Sequence, residues 1–251
     1  MTKRKFHFYL LRGLTREAAH WGELPAILAE RFPGSKVTCL DLPGSGENRH
    51  VRAPLTIDGN VAFLRERYLC PRERDERPVV LSISLGGMIA GAWLARHPED
   101  FESAVLINSS FKGVSPLHHR LKPRALLSVL EVLVKKGAAK EREILRLVSN
   151  EAPLKEERVE AWTRIARDRP VTLAAGLCQL FAAATCRIQD EPPRVPVLIL
   201  ASRGDRMVDV ECSRRLSRKW NSVLVEHATA GHDISVDDPS WIVDQIGVFL
   251  Q

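Results

Sequence analysis

Several features that often decide a protein's class are scarce in this chain. Its 251 residues hold five cysteines, Cys39, Cys70, Cys178, Cys186 and Cys212, and no two form a C-x-x-C pair. An odd, scattered set supplies neither a disulfide framework nor a zinc site, so no metal is expected. The cysteines read as small apolar fillers. No apolar run reaches the roughly 20 residues that span a bilayer, so no membrane insertion is expected. The opening MTKRKFHFYLL is basic, but its apolar run is too short for a secretion signal and no small-residue cleavage site follows. The expected location is cytoplasmic. Aromatic residues are only 6% of the chain and do not interleave with basic ones as in RNA-binding segments. The formal charge of +6 is spread out, with acids among the bases in PRERDERP (71–78) and KEREILR (140–146). That pattern reads as solvated faces, and no nucleic-acid partner is expected. There is no internal repeat and no low-complexity tract.

What the chain does have is a regular alternation. Short apolar runs recur at 6–11, 36–40, 78–83, 103–108, 195–200 and 222–227. They are mostly continuous, as in strands buried on both faces of a parallel sheet. Helix-like segments lie between them at 20–32, 56–69, 86–97, 211–220 and 241–250. Strand–helix alternation predicts an α/β fold, a doubly wound, mostly parallel sheet of about six strands. The alternation stops between about 111 and 190, where four amphipathic segments follow one another. The expected organisation is therefore a core in two parts, 1–110 and 191–251, with an all-helical insert at 111–190.

One junction carries chemistry. In VVLSISLGGMIAGAW a buried strand runs into a helix through Ser82-Ile83-Ser84-Leu85-Gly86. The pattern small-x-Ser-x-Gly is that of a nucleophile elbow, in which the central serine takes a strained turn above the sheet. Small residues two before and two after it let strand and helix backbones pass closely. The helix N-terminus also turns its free N–H groups towards the serine. A serine needs a base, and the base needs an orienting acid. VPVLILASRGDRMVD (195–209) places Asp205 after a strand, and HATAGHDISVDDP (227–239) places His232 in a loop after the last strand. Asp209 and Asp233 are competing acids, one further from its strand end and one adjacent to His232. FYLLRGL (8–14) offers Gly13 at a strand end, with the N–H of Leu14 beside it.

Together LLRGL (10–14), LDLPGSGEN (40–48), SISLGG (82–87), Gly204-Asp205 and GHDISVDDP (231–239) resemble α/β-hydrolase fold proteins of the small, helical-cap kind. The resemblance covers both ends and the middle of the chain and leaves the insert unmatched. It implies Ser84 as nucleophile, His232 as general base and then acid, and Asp205 as its orienting carboxylate. It also implies an oxyanion hole from the backbone N–H groups of Leu14 and Leu85. DLPGSG resembles the family's turn after its second core strand and is read as structural. Many relatives have histidine before the oxyanion glycine, whereas this chain has Arg12, which would put a cation beside the mouth. Antiparallel strands that begin many members are expected to be missing.

The implied reaction is hydrolysis of a carboxylic ester or thioester of a small to medium acyl substrate through an acyl-enzyme, with no cofactor. A serine at 84 argues against the haloalkane dehalogenase and epoxide hydrolase branches, which resemble this fold but need a carboxylate there. Leu126, Leu127, Leu130, Leu133, Leu177, Leu180 and Phe181 offer an apolar lining, though each is more simply read as the insert's own core. Arg12, Arg16, His20, Arg120 and Arg124 can surround an anionic group. That set keeps a second reading open, a triad-containing lyase or carbon–carbon hydrolase resembling the menaquinone-pathway lyases. A third is a ligand receptor that has lost catalysis, which a missing triad member would favour, and none is missing.

Overall fold

A computed structural model describes residues 5–69 and 76–251 of the chain. Cys70 and most of the charged run 71–78 lie outside the described residues.

All six expected strands form: β1 (Lys5–Leu11), β2 (Lys36–Leu40), β3 (Glu76–Ile83), β4 (Ser103–Ile107), β5 (Val197–Ser202) and β6 (Val223–His227). They make one parallel sheet in the order β2-β1-β3-β4-β5-β6. β4 and β5 are buried at every residue, as their unbroken apolar runs require, while the edge strands β2 and β6 are mostly half-exposed. Side chains alternate between faces along a strand. Tyr9 and Leu11 therefore join one core layer, and Phe8 and Leu10 join the other. Helices α2 (Ile57–Tyr68), α3 (Leu85–Arg96) and α9 (Glu211–Trp220) cover the first face. Helices α1 (Leu24–Arg31) and α11 (Pro239–Phe249) cover the second. The strand order reverses direction at β1, so the crevice beyond the carboxyl ends of β1 and β3 is a topological switch point, where open α/β sheets place ligands. No described helix is long and apolar enough to cross a membrane.

The residues between β4 and β5 are helical, as their spacing predicts: α4 (Leu117–Arg120), α5 (Pro123–Val134), α6 (Gly137–Val148), α7 (Glu156–Asp168) and α8 (Leu173–Thr185). Their own small core is Ile144, Leu145, Val159 and Trp162, and it shares Val236 from the short α10 (Ile234–Asp237). The insert is thereby seated on the loop that follows His232. Here the structure corrects one expectation. Leu126, Leu127, Leu177, Leu180 and Phe181 are not the insert's core: Leu127 is 67% exposed and Phe181 54%. Leu130 and Leu133 lie outside the described side chains. The reason is visible on α8, which turns Ala175, Gln179 and Ala182 inward. At Ala175 the approach is close, since a Cβ added to Gly44 would lie 2.7 Å from the Ala175 Cβ.

The DLPGSG segment is a structural turn. Asp41 accepts the N–H groups of Ala18 (2.7 Å) and Glu47 (2.9 Å), and Asn48 donates back to the Asp41 carbonyl (2.6 Å).

Candidate active site

Ser84 sits between β3 and α3 with φ +56° and ψ −117°. A non-glycine residue there stores on the order of 1–3 kcal/mol, and such strain persists only where surrounding contacts enforce it. The enforcing contacts are all to its backbone. Its N–H donates to Ile107 on β4 (2.9 Å), and its carbonyl accepts from Gly87, Met88 and the Ser109 hydroxyl. From Val79 to Leu94, Ser84 is the one residue that is not buried.

The neighbours show why they must be small. A Cβ on Gly86 would lie 2.3 Å from the Leu11 carbonyl oxygen, and one on Gly87 would lie 1.9 Å from the Ser109 hydroxyl. Ser82 stands where glycine is commoner. It fits because its hydroxyl, fully buried, donates to the Val105 carbonyl (3.1 Å). Gly13 lies directly against the elbow, since a Cβ there would approach the Ser84 Cβ to 3.2 Å. Among the described residues no acceptor takes the Leu14 N–H. Leu85 is the first residue of α3, and the N–H groups of a helix's first turn have no intrahelical partner.

Asp205 and His232 are joined at 2.7 Å, Oδ2 to Nδ1. Both are buried. The other oxygen of Asp205 accepts the N–H groups of Met207 (2.7 Å) and Val208 (2.9 Å), which aims the carboxylate. The competing acids are engaged elsewhere. Asp209 accepts from its own helix start at Glu211 and pairs with Lys122, while Asp233 pairs with Arg12. Burial pulls the His232 imidazole down, but the Asp205 carboxylate, aided by Asp233, outweighs it and raises the pKa above the ordinary 6.5. A folded-state pKa above the unfolded one contributes stability below about pH 6.5 that is lost as pH rises through the folded value. An NMR titration of the His232 ring is expected to show a midpoint above 6.5. In Asp205→Asn the burial is left unopposed by that carboxylate, and the midpoint should fall below 6.5.

Sequence reading missed Asn108. Its φ is +44°, and it follows β4 directly. Its amide donates to the His232 carbonyl (2.7 Å) while its Oδ1 accepts from Ser202 N–H (2.9 Å). The strand end that holds the Ser84 N–H through Ile107 thus also holds the histidine loop. A signal existed in the Asn that closes an otherwise apolar run, SAVLIN.

The candidate substrate-binding residues are not brought together as an open cluster. Arg12 is buried and donates to Asp233 and to Ser235 (3.0 Å), with its guanidinium 4.7 Å above the Trp21 ring. The cation therefore points into the protein, where Asp233 neutralises it. Arg16 bonds Glu141 of α6 (2.8 Å) and His20 (2.9 Å), over the Trp162 ring. His20 is held well below the usual range by burial and by Arg16, so it stays neutral. Arg120 donates to the Ala183 (2.6 Å) and Ala184 (3.2 Å) carbonyls at the end of α8. Arg124 is exposed. The Arg12–Asp233 pair gives a stability prediction. Arg12→Met leaves a buried carboxylate unpaired and should cost about 3–5 kcal/mol in chemical unfolding, most of it recovered when Asp233→Leu is added.

Two of the described cysteines, Cys39 and Cys186, are held as thiols at neutral pH. Burial pushes the Cys39 thiol up to about 11 and the Cys186 thiol up to about 12.

A family model described as the alpha/beta hydrolase family matches residues 8–245. Methyl jasmonate esterase 1 of Vitis vinifera is 27% identical over 113 residues, which are 45% of this chain and 42% of that protein. The match thus spans less than half of that relative's length. Among solved structures, the esterase RhEst1 from Rhodococcus sp. superposes with a TM-score of 0.74 at 18% identity, covering 99% of this chain and 91% of that one. A lipase-esterase related protein from Clostridium acetobutylicum gives 0.70 at 16%, covering 99% and 96%. The type II thioesterase BorB of the borrelidin biosynthetic cluster gives 0.68 at 18%, covering 98% and 93%. At these identities the likeness is one of fold.

Proposed function

The chain belongs to the alpha/beta hydrolase family, and from that premise we propose that it is a serine hydrolase cleaving an ester or thioester of a small to medium acyl group. The observation that carries this reading is the pairing of a strained, half-exposed Ser84 with a buried Asp205–His232 dyad at the same sheet edge.

Ser84 Oγ attacks the substrate carbonyl as His232 takes its proton. Asp205 holds the tautomer that leaves Nε2 free to accept, and stabilises the imidazolium that forms. The N–H groups of Leu14 and Leu85 take the negative charge on the carbonyl oxygen. The alcohol or thiol leaves with a proton from His232, and an acyl-Ser84 ester remains. Water, deprotonated by His232, attacks the acyl carbon, the bond to Ser84 Oγ breaks, and His232 returns the proton to Oγ as the acid leaves. In this reading the helices α4–α8 act as a cap over the site. Free Cys39, Cys178, Cys186 and Cys212 fit a reducing compartment, the cytoplasm.

The lyase reading rests on arginines available to an anionic substrate. The ion pairs of Arg12 with Asp233 and of Arg16 with Glu141 favour the ester reading over it. The test is hydrolysis of p-nitrophenyl esters from acetate to decanoate. Turnover with a burst of p-nitrophenol equal to the enzyme concentration is expected wherever acyl-enzyme hydrolysis is slow. A chain inert on every ester and on acyl thioesters would overturn the proposal.

A further inference from the structure

The oxyanion loop is held from above, and by a side chain that the triad does not use. Gln179 lies on α8 and is 1% exposed, a polar group facing inward from an otherwise apolar helix. Its Oε1 accepts the backbone N–H of Thr15 at 2.9 Å. Its Nε2 donates to the Ser45 hydroxyl at 3.0 Å and to the Pro43 carbonyl at 3.4 Å. One amide therefore ties the loop after β1 to the loop after β2. Thr15 needs such a tie. It has φ +56°, a conformation that a β-branched residue rarely adopts. The approach is close, since a Cβ on Gly176 would lie 3.4 Å from the Thr15 methyl.

We infer that Gln179 is a positioning residue for the oxyanion hole. This deepens the proposed function and rests on it. Gly13, Leu14 and Thr15 are consecutive, and the direction of the Leu14 N–H is set by the dihedral angles on either side of it. The Ser84 contact with Gly13 fixes one side. The Thr15–Gln179 bond fixes the other. It also consumes the Thr15 N–H, which takes that group out of competition with the Leu14 N–H. An oxyanion donor is worth on the order of 10²–10³ in rate only while it is held in place before the charge develops. The insert is thereby more than a cover, because docking α8 completes the catalytic geometry of the loop beneath it.

The experiment compares wild type, Ser84→Ala, Gln179→Met and Ser45→Ala on the p-nitrophenyl ester that wild type turns over best. Hydrogen–deuterium exchange of the Thr15 amide is followed in the same proteins. Gln179→Met keeps the side-chain length and removes all three polar contacts. It should lower kcat roughly ten- to a hundredfold with KM changed less than about threefold, and speed Thr15 exchange. Ser45→Ala removes one of the two bonds at the far end of the amide, leaves α8 intact, and should give a smaller kcat loss in the same direction. A purely structural Gln179 would lower the melting temperature and leave kcat per folded enzyme unchanged. That result in both variants would overturn the inference, as would a fall in kcat with Thr15 exchange unaltered. Wild-type turnover no greater than that of Ser84→Ala would instead overturn the hydrolase reading itself.

Discussion

Ser84→Ala is expected to reduce ester turnover by about 10⁵-fold or more, because removing a triad nucleophile removes the covalent route and leaves only what binding and the oxyanion hole supply. The fold should be untouched, since the contacts that enforce the elbow run through the Ser84 backbone to Ile107, Gly87, Met88 and Ser109. A second substitution separates strain from chemistry. Ser84→Gly is equally inactive, but glycine accepts φ +56°, ψ −117° without penalty. Relief of on the order of 1–3 kcal/mol competes with the roughly 0.5–1 kcal/mol that glycine's extra unfolded-state freedom costs. Strain relief outweighs the entropy, so Ser84→Gly should be more stable than Ser84→Ala by about 1 kcal/mol. At an ordinary position the order is the reverse. Chemical unfolding of the two inactive variants reads the difference directly.

Asp205→Asn has the next largest expected effect, a fall in kcat of about 10⁴-fold with binding little changed. An asparagine keeps the shape and can still accept from Met207 and Val208 through its carbonyl oxygen. Its NH₂ would then face His232 Nδ1, where Asp205 Oδ2 now sits at 2.7 Å. An amide donor there demands a bare Nδ1, which moves the ring proton to Nε2. The nitrogen meant to accept the serine proton would already carry one. Steady-state kinetics of Asp205→Asn beside Asp209→Asn and Asp233→Asn tests the assignment. Only the first should lose activity on this scale. A comparable kcat loss in Asp209→Asn with Asp205→Asn near wild type would move the acid to the other carboxylate.

How much of this was legible depended on whether a residue's role was local. The strands were, because VVLSI and SAVLI can be buried on both sides only in the middle of a parallel sheet. The elbow was too, because the strand, the small-x-Ser-x-Gly spacing and the helix after it are contiguous in the sequence. The short helices α4 and α10 were not, having too few residues for a period to show. The facing of α8 was hidden for a different reason. Periodicity locates a stripe of Leu177, Leu180 and Phe181, and burial rules send large apolar residues inward. Here α8 faces the other way, with Ala175, Gln179 and Ala182 inward and Ala175 close against Gly44, so the stripe is turned out. Arg12 was misplaced similarly. Its position beside Gly13 in sequence put it at the mouth, while its partner Asp233 lies 221 residues away and draws it inward. Gln179 and Asn108 carried a faint signal as lone amides in apolar segments. What they bond, Thr15 at one and the His232 loop at the other, is a property of the assembled fold.

Whether Ser84 is the activated nucleophile is best decided by mass spectrometry of the intact and digested protein after treatment with a fluorophosphonate. One phosphonyl group per chain is expected, on Ser84, formed quickly in wild type and drastically slowed in His232→Ala. A label on another serine with Ser84 unmodified, or no label on an enzyme that turns over esters, would refute the assignment.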